Sequence, residues 1–214
     1  MIYSTVLFDL DGTLIQSGPG IFAAVKAVMR DMDLSELPEA KLHAMVGPPL
    51  ADGFRDVLGI AEDRLQEAMV RYRKKAETVG LDLIFPYPGV PELLSSLKDA
   101  GAVVGVVTSK ITPTATAHLQ RFGLAPWIDY IRGGFPGGSA DKLLLLETAI
   151  LELGAPKETT VMVGDRRFDL EAAAAAGVNS IGVLYGYGEE SELAACKPTH
   201  MAESVKALKN ILLG

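Results

Sequence analysis

Two carboxylates separated by a single residue follow the first apolar run of the chain. The run Thr5–Leu10 contains Asp9, and Asp11, Gly12 and Thr13 come directly after it. Alternate side chains of an extended backbone lie on one face, so both carboxylates can point into one space. Two such acids can serve as a nucleophile and as a proton donor. An Asp-Gly turn whose acids bond only the local backbone explains this motif equally well when it is taken alone.

A second acidic motif follows another apolar run late in the chain. Asp165 comes directly after Gly164, and Asp169 lies four residues further on. Asp169 is well placed to open the next helix, since Asp is among the favoured N-cap residues. Asp165 has no such structural role, and a carboxylate at the end of a buried strand needs a cation or a hydrogen-bond donor. We therefore expect Asp165 to belong to a site.

The remaining candidates suit an anionic ligand. Thr108 and Ser109 follow a third apolar run, and their hydroxyls and backbone N–H groups suit the non-bridging oxygens of a phosphate. Lys142 falls in the first turn of a helix that Ser139 is expected to cap, where the helix dipole disfavours a cation by up to about 1 kcal/mol. A solvated lysine tolerates this position, but a lysine that points toward anionic groups explains it better.

These residues constrain one another through their charges. Four carboxylates in one cleft sum to −4 when all are ionised, which would raise their pKa values and repel an anionic substrate. A divalent cation and Lys142 together add +3 and leave about −1. Ligand oxygens with retained waters favour Mg²⁺ over zinc. The sequence therefore predicts a bound Mg²⁺ near Asp9, Asp11, Asp165 and Asp169.

An α/β fold would bring these motifs together. After about residue 80, short apolar runs alternate with helical patterns, which predicts βαβ units and a Rossmann-like parallel sheet. Ligands of such sheets bind at the carboxyl ends of the strands, where the acidic motifs fall. The predicted strands are Thr5–Leu10, Val103–Thr108, Ile128–Arg132, Thr160–Gly164 and Ser180–Leu184. The predicted helices are Pro91–Ala100, one from Thr112 to Gly123, one from Ser139 to Leu153, and Leu170–Ala176 opened by Asp169.

The segment after the first motif follows a different pattern. Its apolar residues recur at helical spacing, and it contains no convincing strand. Stretches rich in Pro and Gly bound it on both sides. We predict an all-helical cap at residues 16–82, inserted into a core made of residues 1–15 and 83–214.

Composition excludes several classes of protein. A length of 214 residues predicts one large domain or one domain with an insertion. The 20 basic and 27 acidic residues give a net charge of −7, which argues against nucleic-acid binding. The single cysteine, Cys196, cannot form an internal disulfide, and the sequence shows neither a signal peptide nor a membrane span. We expect a soluble cytoplasmic protein with no membrane or nucleic-acid partner.

In order and spacing, the motifs resemble those of the haloacid dehalogenase-like hydrolase superfamily. The matching residues are Asp9–Leu14, Thr108–Lys110, Lys142 and Gly164–Asp169. The helical insert resembles the small cap of that family, and Val46–Leu50 and Tyr185–Gly188 resemble its phosphoglycolate phosphatase branch. The sequence departs from the family pattern around Lys142. The stretch before Lys142 is rich in glycine, and the proline expected after the motif lysine is absent.

The resemblance implies a role for each motif residue. Asp9 would attack phosphorus and become an aspartyl-phosphate, while Asp11 would protonate the departing oxygen and then take a proton from the hydrolytic water. Mg²⁺ would be held by the Asp9 side chain, the Asp11 carbonyl and Asp165. The residues that would bind or orient the phosphoryl oxygens are Thr108, the Ser109 N–H, Lys142 and, through Lys142 or a metal-bound water, Asp169.

The resemblance leaves the substrate open. A small phosphorylated metabolite of the phosphoglycolate type is expected, with a 5'-nucleotidase, a pyrophosphatase and a sugar-phosphate mutase as alternatives. Asp11 argues against a dehalogenase, since halide departs without a proton, and against a receiver-like signalling module, which needs no leaving-group acid. The cap would cover the substrate, with Pro48 and Arg55 as candidate contacts, although an exposed solvated arginine is equally consistent. The sequence is compatible with a monomer or a homodimer.

Overall fold

The computed structural model describes residues 2–135 and 141–214. The chain divides into two compact units, which we call the core unit (Met1–Leu14 and Pro86–Gly214) and the helical unit (Ile15–Phe85). The predicted breaks, after residues 15 and 82, differ from these by one and three residues. Ser139, the predicted helix cap, lies outside the described residues.

The helices and strands have the following bounds among the described residues. The strands are β1 (Thr5–Phe8), β2 (Ile15–Gln16), β3 (Phe85–Pro86), β4 (Val103–Ile111), β5 (Tyr130–Gly134), β6 (Thr160–Gly164), β7 (Asn179–Val183) and β8 (His200–Ala202). The α-helices are α1 (Gly18–Asp31), α2 (Glu39–Leu42), α3 (Leu50–Asp52), α4 (Glu62–Lys75), α5 (Val90–Asp99), α6 (Thr112–Arg121), α7 (Lys142–Leu153), α8 (Arg167–Ala176), α9 (Glu190–Ala195) and α10 (Val205–Leu213).

A six-stranded parallel sheet forms the centre of the core unit, in the order β5-β4-β1-β6-β7-β8. β1 lies in the middle, with Phe8 opposite Val106 of β4 and Val163 of β6. The side chains of β1 are fully buried because helices cover both faces of such a sheet, which is why this strand is a continuous apolar run. The predicted Rossmann-like α/β fold is confirmed.

Two predicted strand ends were wrong at the edge where the acids lie. β1 stops at Phe8 instead of Leu10, because Leu14 N–H donates to the Leu10 carbonyl and Gly12 turns the chain with a φ of 87°. β4 continues to Ile111 instead of stopping at Thr108, with an irregular register between these two residues. Asp9 therefore lies after the end of β1, and Ser109 and Lys110 lie within the irregular end of β4.

Other elements also differ from prediction at the margins of the sheet. β5 begins at Tyr130, two residues later than predicted. The edge strand β8 was not predicted, since three residues of sequence His-Met-Ala have neither alternation nor β-branched side chains. Its pairing with β7 through Ile181 and His200 is formed by residues that are distant in sequence, so local propensity does not reveal it.

The N-termini of two helices correct the predicted caps. Asp141 caps α7, its carboxylate accepting hydrogen bonds from Leu143 N–H at 2.8 Å and Leu144 N–H at 3.2 Å. The prediction that Asp169 opens α8 was wrong, because the helix begins at Arg167 and Asp169 is its third residue. Its carboxylate instead reaches back to the backbone N–H of Arg166 at 3.2 Å, in a capping box.

The helical unit is built around α1 and α4. Phe54, which lies between these helices in the sequence, is fully buried. Its ring packs edge-on against Tyr72 of α4, with ring centroids 5.8 Å apart. Gly20 of α1 approaches Gly80 so closely that a Cβ at Gly20 would lie 2.4 Å from the Gly80 carbonyl oxygen. The two-residue strands β2 and β3 pair with each other. In the described part of the chain, no helix is both long and apolar enough to cross a bilayer.

Candidate active site

The carboxyl ends of neighbouring strands bring the sequence motifs of the core unit together. Asp9 follows β1, Asp165 follows β6, and Thr108 lies near the end of β4, the strands on either side of β1 being β4 and β6. Lys142, the first residue of α7, reaches Asp9 with its ammonium nitrogen 2.7 Å from Oδ1. Residues up to 156 positions apart in the sequence therefore meet at one edge of the sheet because the strands are parallel and adjacent.

Lys142 lies buried between two carboxylates. Its Nζ is 2.7 Å from Asp9 Oδ1 and 2.8 Å from Asp169 Oδ1, and it also donates to the Val107 carbonyl at 3.2 Å. Burial alone would lower the pKa of Lys142, but the carboxylates of Asp169 and Asp9 raise it above its usual value. A lysine that is 7% exposed is not the solvated side chain that the sequence left possible.

Three buried carboxylates carry more negative charge than this lysine offsets. Ligand oxygens of Asp9, Asp165 and Asp169 all lie within 4.8 Å of one another. Burial raises the pKa of Asp9 to about 6, with Lys142 opposing the shift and Asp169 adding to it. Burial, followed by the charges of Asp9 and Asp169, also raises the pKa of Asp165 well above its usual value. Such an all-oxygen, electron-rich cluster fits a hard divalent cation.

Asp165 is fixed in place by neutral hydrogen-bond donors. Thr13 Oγ1 donates to its Oδ1 at 3.2 Å, and Tyr187 N–H donates to its Oδ2 at 2.8 Å. Glycines make this packing possible, since a Cβ at Gly12 would lie 2.2 Å from Asp165 Oδ2 and one at Gly186 would lie 2.2 Å from Asp165 Cβ. Sequence reasoning found Asp165 but assigned no such function to Thr13 or to the loop that contains Gly186 and Tyr187.

Tyrosines support the same loop from outside the acidic cluster. The Tyr185 hydroxyl donates to the Thr13 carbonyl at 3.1 Å, and its ring packs edge-on against Tyr87 with centroids 4.9 Å apart. Burial raises the pKa of both phenols, so they stay protonated. The stretch Tyr185–Gly188 was recognised only as a family marker, and its contacts show that it holds Thr13 and Asp165.

Asp11 is paired with a lysine of the Thr108–Lys110 motif to which the sequence argument assigned no role. Lys110 Nζ lies 2.7 Å from Asp11 Oδ1, and the two side chains are only 14% and 12% exposed. The same Nζ is 3.4 Å from His118 Nδ1. Burial and then Lys110 lower the pKa of His118 to about 4, so its ring is neutral at pH 7. The available signal was the position of Lys110, directly after the Thr108-Ser109 pair at a strand end.

The two phosphate-binding candidates lie on the irregular end of β4. Thr108 is buried, and its Oγ1 accepts a hydrogen bond from Lys110 N–H at 3.2 Å. Ser109 is half-buried. The side chain of Thr112, the first residue of α6, accepts a hydrogen bond from Gly133 N–H at 3.0 Å.

The two candidate substrate contacts of the insert belong to the helical unit. Arg55 is exposed, with Nη1 3.0 Å from Asp52 Oδ1 and Nε 3.2 Å from Glu62 Oε2. Pro48 is half-buried. Every residue of the acidic cluster, by contrast, belongs to the core unit. The pairing of Arg55 with two carboxylates of its own unit favours the interpretation of a solvated surface arginine.

A parallel α/β sheet with paired aspartates after its first strand, and a lysine and further aspartates at the same edge, defines a class of hydrolytic enzymes. Comparison with known proteins is consistent with this class. The sequence pattern of haloacid dehalogenase-like hydrolases matches residues 6–183. The chain belongs to this family, which confirms the predicted membership.

Individual relatives support the same conclusion. The chain is 35% identical to a 5'-nucleotidase of Pseudomonas aeruginosa over 98% of its own length and 96% of the relative. It is 34% identical to a phosphoglycolate phosphatase of Neisseria meningitidis over 86% and 81%. A crystal structure described as a predicted phosphatase from Clostridium acetobutylicum superimposes with a TM-score of 0.93 at 34% identity, covering 100% and 99%. The predicted enzyme class, a phosphatase of this family, is confirmed.

Proposed function

We propose that this chain hydrolyses a small phosphate monoester through an aspartyl-phosphate formed on Asp9, with Mg²⁺ as cofactor. The observation that carries the proposal is the position of Asp9. It is buried at the end of the central strand, between the ammonium of Lys142 and the carboxylate cluster completed by Asp165 and Asp169. A carboxylate so placed is oriented by its neighbours and can attack a phosphorus atom.

In the first half-reaction Asp9 is the nucleophile and Asp11 the acid. A carboxylate oxygen of Asp9 forms a bond to phosphorus while the bond from phosphorus to the ester oxygen breaks. The proton on the Asp11 carboxyl passes to the departing oxygen, which leaves as an alcohol. The pKa of Asp9, about 6, supports its ionised form at pH 7, as attack requires.

In the second half-reaction water attacks the phosphorus of the aspartyl-phosphate. Asp11, now a carboxylate, takes a proton from that water, the bond between phosphorus and Asp9 breaks, and inorganic phosphate leaves. The proton balance closes, since Asp11 loses one proton in the first step and regains one in the second. A binding or receiver-like role would not require this second acid, so the pair Asp9 and Asp11 favours turnover.

The remaining motif residues would bind the phosphoryl group and the cation. Asp9, Asp165 and the Asp11 carbonyl would hold Mg²⁺, and their excess negative charge is the reason a divalent cation fits here. When bound, the cation would supply positive charge that stabilises the phosphoryl oxygens. The groups that would donate to those oxygens are the Thr108 hydroxyl, the Ser109 N–H and the Lys142 ammonium, with Asp169 holding Lys142 in position.

The substrate class is a small phosphorylated metabolite. Phosphoglycolate is the first candidate, because of the resemblance in Val46–Leu50 and Tyr185–Gly188 and of the relative that carries this name. A nucleoside 5'-monophosphate is the second, because of the 5'-nucleotidase relative. We also propose that the helical unit acts as the cap that selects among such esters.

Steady-state hydrolysis of p-nitrophenyl phosphate tests the mechanism. We expect activity that requires Mg²⁺, that EDTA abolishes, and that Asp9→Asn lowers by at least about 10⁴-fold, since the nucleophile is lost. Asp129→Asn is the matched control, because Asp129 pairs with Lys98 and accepts from Val104 N–H at the opposite, amino-terminal edge of the sheet. Activity that survives EDTA or Asp9→Asn would refute the proposal. Trapping of an acid-stable phosphate on wild-type Asp9 by mass spectrometry would support the intermediate directly.

A further inference from the structure

Lys110 has a chemical position that the proposed function does not use. Its Nζ lies 2.7 Å from Asp11 Oδ1, the acid proposed to protonate the departing oxygen. Any ester oxygen that receives this proton is within hydrogen-bond distance of Asp11, so the first atoms of the leaving group lie within a few ångströms of Lys110. Lys142, the buried lysine of the cleft, faces Asp9 and Asp169 instead. Lys142 therefore lies on the side of the proposed nucleophile, and Lys110 lies on the side of the leaving group.

The contacts of Lys110 leave it able to bind one more acceptor. A lysine ammonium has three N–H donors. Among the described residues, Asp11 Oδ1 at 2.7 Å and His118 Nδ1 at 3.4 Å receive two of them. His118 is buried and neutral, so it can accept from the ammonium without adding a charge of either sign. The Lys110 side chain is 14% exposed, which gives a ligand access while limiting screening by water.

The charge balance of the cleft changes when Lys110 is included. With all four ionised, Asp9, Asp11, Asp165 and Asp169 contribute −4, while Lys142, Lys110 and a divalent cation contribute +4, so the sum is zero instead of the −1 obtained without Lys110. When Asp11 carries the proton that it gives to the leaving group, the sum is +1. A cleft without net negative charge repels an anionic ligand less than a cleft of charge −1, so it can bind a ligand that carries a second anionic group besides its phosphate. The added positive charge lies on the Asp11 side, where the leaving group departs.

We propose that Lys110 is a specificity-determining residue that binds an anionic group, such as a carboxylate, carried by the leaving group of the ester. This inference rests on the proposed function and deepens it, since it favours an ester with a charged leaving group over one whose leaving group is neutral, as in a nucleoside monophosphate. His118 holds the Lys110 ammonium on the leaving-group side. The core unit then contributes to substrate selection directly.

A matched pair of substrates tests this assignment. 2-Phosphoglycolate and 2-hydroxyethyl phosphate are of similar size, and only the first carries a carboxylate on its leaving group. We expect the wild-type chain to have a kcat/KM at least about tenfold higher for 2-phosphoglycolate, mostly through KM, because a charge-assisted hydrogen bond forms with only one of them. A wild-type ratio near one would overturn the inference without any variant being made.

Lys110 variants locate the preference. Lys110→Met removes the charge at similar length, and we expect KM for 2-phosphoglycolate to rise about 10- to 100-fold while KM for 2-hydroxyethyl phosphate changes less than about threefold. Lys110→Arg keeps the charge and should restore most of the preference. Lys98→Met, which removes an ion-paired lysine at the opposite edge of the sheet, should leave the ratio unchanged.

The outcomes separate this inference from the proposed function. If Lys110→Met lowers kcat for both esters equally and leaves KM unchanged, Lys110 only positions Asp11, and the inference is wrong while the phosphatase function stands. If the wild-type chain hydrolyses neither ester nor p-nitrophenyl phosphate with Mg²⁺, both are wrong. Thermal unfolding of each variant shows whether it is folded, and the wild-type ratio remains decisive if Lys110→Met is not.

Discussion

Ion pairs in the core-unit cleft are buried, whereas the arginine pairs of the helical unit face solvent. The Lys142 and Asp9 side chains are 6% and 4% exposed at an N–O distance of 2.7 Å. The Arg55 and Glu62 side chains are 45% and 77% exposed at 3.2 Å. The two pairs have similar geometry but different surroundings. Burial makes the core pair costly to assemble and costly to break, while water replaces the partners of the exposed pair.

The comparison teaches where charge carries function in this chain. A buried charge persists only with compensating partners, so the concentration of four acids and two lysines in one cleft indicates that a ligand completes it. Exposed pairs need no such explanation. Four predictions test the contrast.

The largest effect is expected when the buried cation is removed. Lys142→Met leaves the carboxylates of Asp9 and Asp169 without their shared partner. We expect kcat to fall by about 10³-fold, since a donor to the phosphoryl oxygens is lost, and the free energy of unfolding in EDTA to fall by about 3 kcal/mol. Phosphatase assays and urea unfolding measure the two effects. A fall in kcat below tenfold would contradict the assigned role of Lys142.

The next prediction concerns the glycine packed against Asp165. A Cβ in Gly186→Ala would lie 2.2 Å from Asp165 Cβ and 2.5 Å from the Gly12 carbonyl oxygen, so the carboxylate must move. We expect the dissociation constant of Mg²⁺, measured by calorimetry, to rise about 10- to 100-fold. Gly182→Ala is the control, because a Cβ there meets only Leu170 and Leu193 side chains at 3.4–3.5 Å. Equal Mg²⁺ affinity in both variants would show that the loop does not position Asp165.

His118 makes the stability of the chain depend on pH. Its pKa is lowered to about 4 by burial and then by Lys110, against 6.5 for an unperturbed histidine. Between pH 6.5 and 4 the unfolded chain therefore binds more protons at this residue, so its contribution to stability is retained above pH 6.5 and lost as the pH falls toward 4. We expect the free energy of unfolding to fall about 2 kcal/mol less in His118→Gln than in the wild-type chain between pH 7 and 4.5. If urea unfolding shows the same fall in the free energy of unfolding for the two proteins across this range, the assignment is wrong.

The smallest effect is expected in the helical unit. Arg55→Ala removes an exposed guanidinium with two exposed partners, Asp52 and Glu62. We expect the free energy of unfolding to change by less than about 1 kcal/mol, and by less still at high salt, with KM for phosphate esters altered less than about threefold. A tenfold rise in KM would instead establish Arg55 as the substrate contact that the sequence left open.

The strands of the sheet were largely predictable because their signal is local. β6 has the predicted bounds, and β7 differs from its prediction by one residue at each end. Short, mainly apolar runs such as Val161–Val163 of β6 are typical of a strand buried on both faces wherever it lies in the sheet. The edge strand β8 has no such run and forms through its pairing with β7, so no local pattern predicted it.

The site was predictable only for residues whose chemical type is unusual in their local setting. Asp9 and Asp165 end apolar runs, and Lys142 falls in the first turn of a predicted helix, so each is conspicuous in the sequence. Lys110 and His118 were not, because a lysine after a strand and a histidine in a helix are ordinary in sequence. Their significance lies in distances of 2.7 Å to Asp11 and 3.4 Å between the two side chains.

The sequence by itself determined the parallel α/β core, the order of the acidic motifs along it and the family, and it predicted a cation, because these depend on local periodicity, on motif spacing or on a sum of charges. Only the tertiary structure decided which charges meet. Lys142 joins Asp9 to Asp169, and Lys110 joins Asp11 to His118. These pairings depend on strand order and helix placement, which bring together residues up to 133 positions apart, such as Asp9 and Lys142. Burial then strengthens each pairing, because charges interact more strongly where water is excluded.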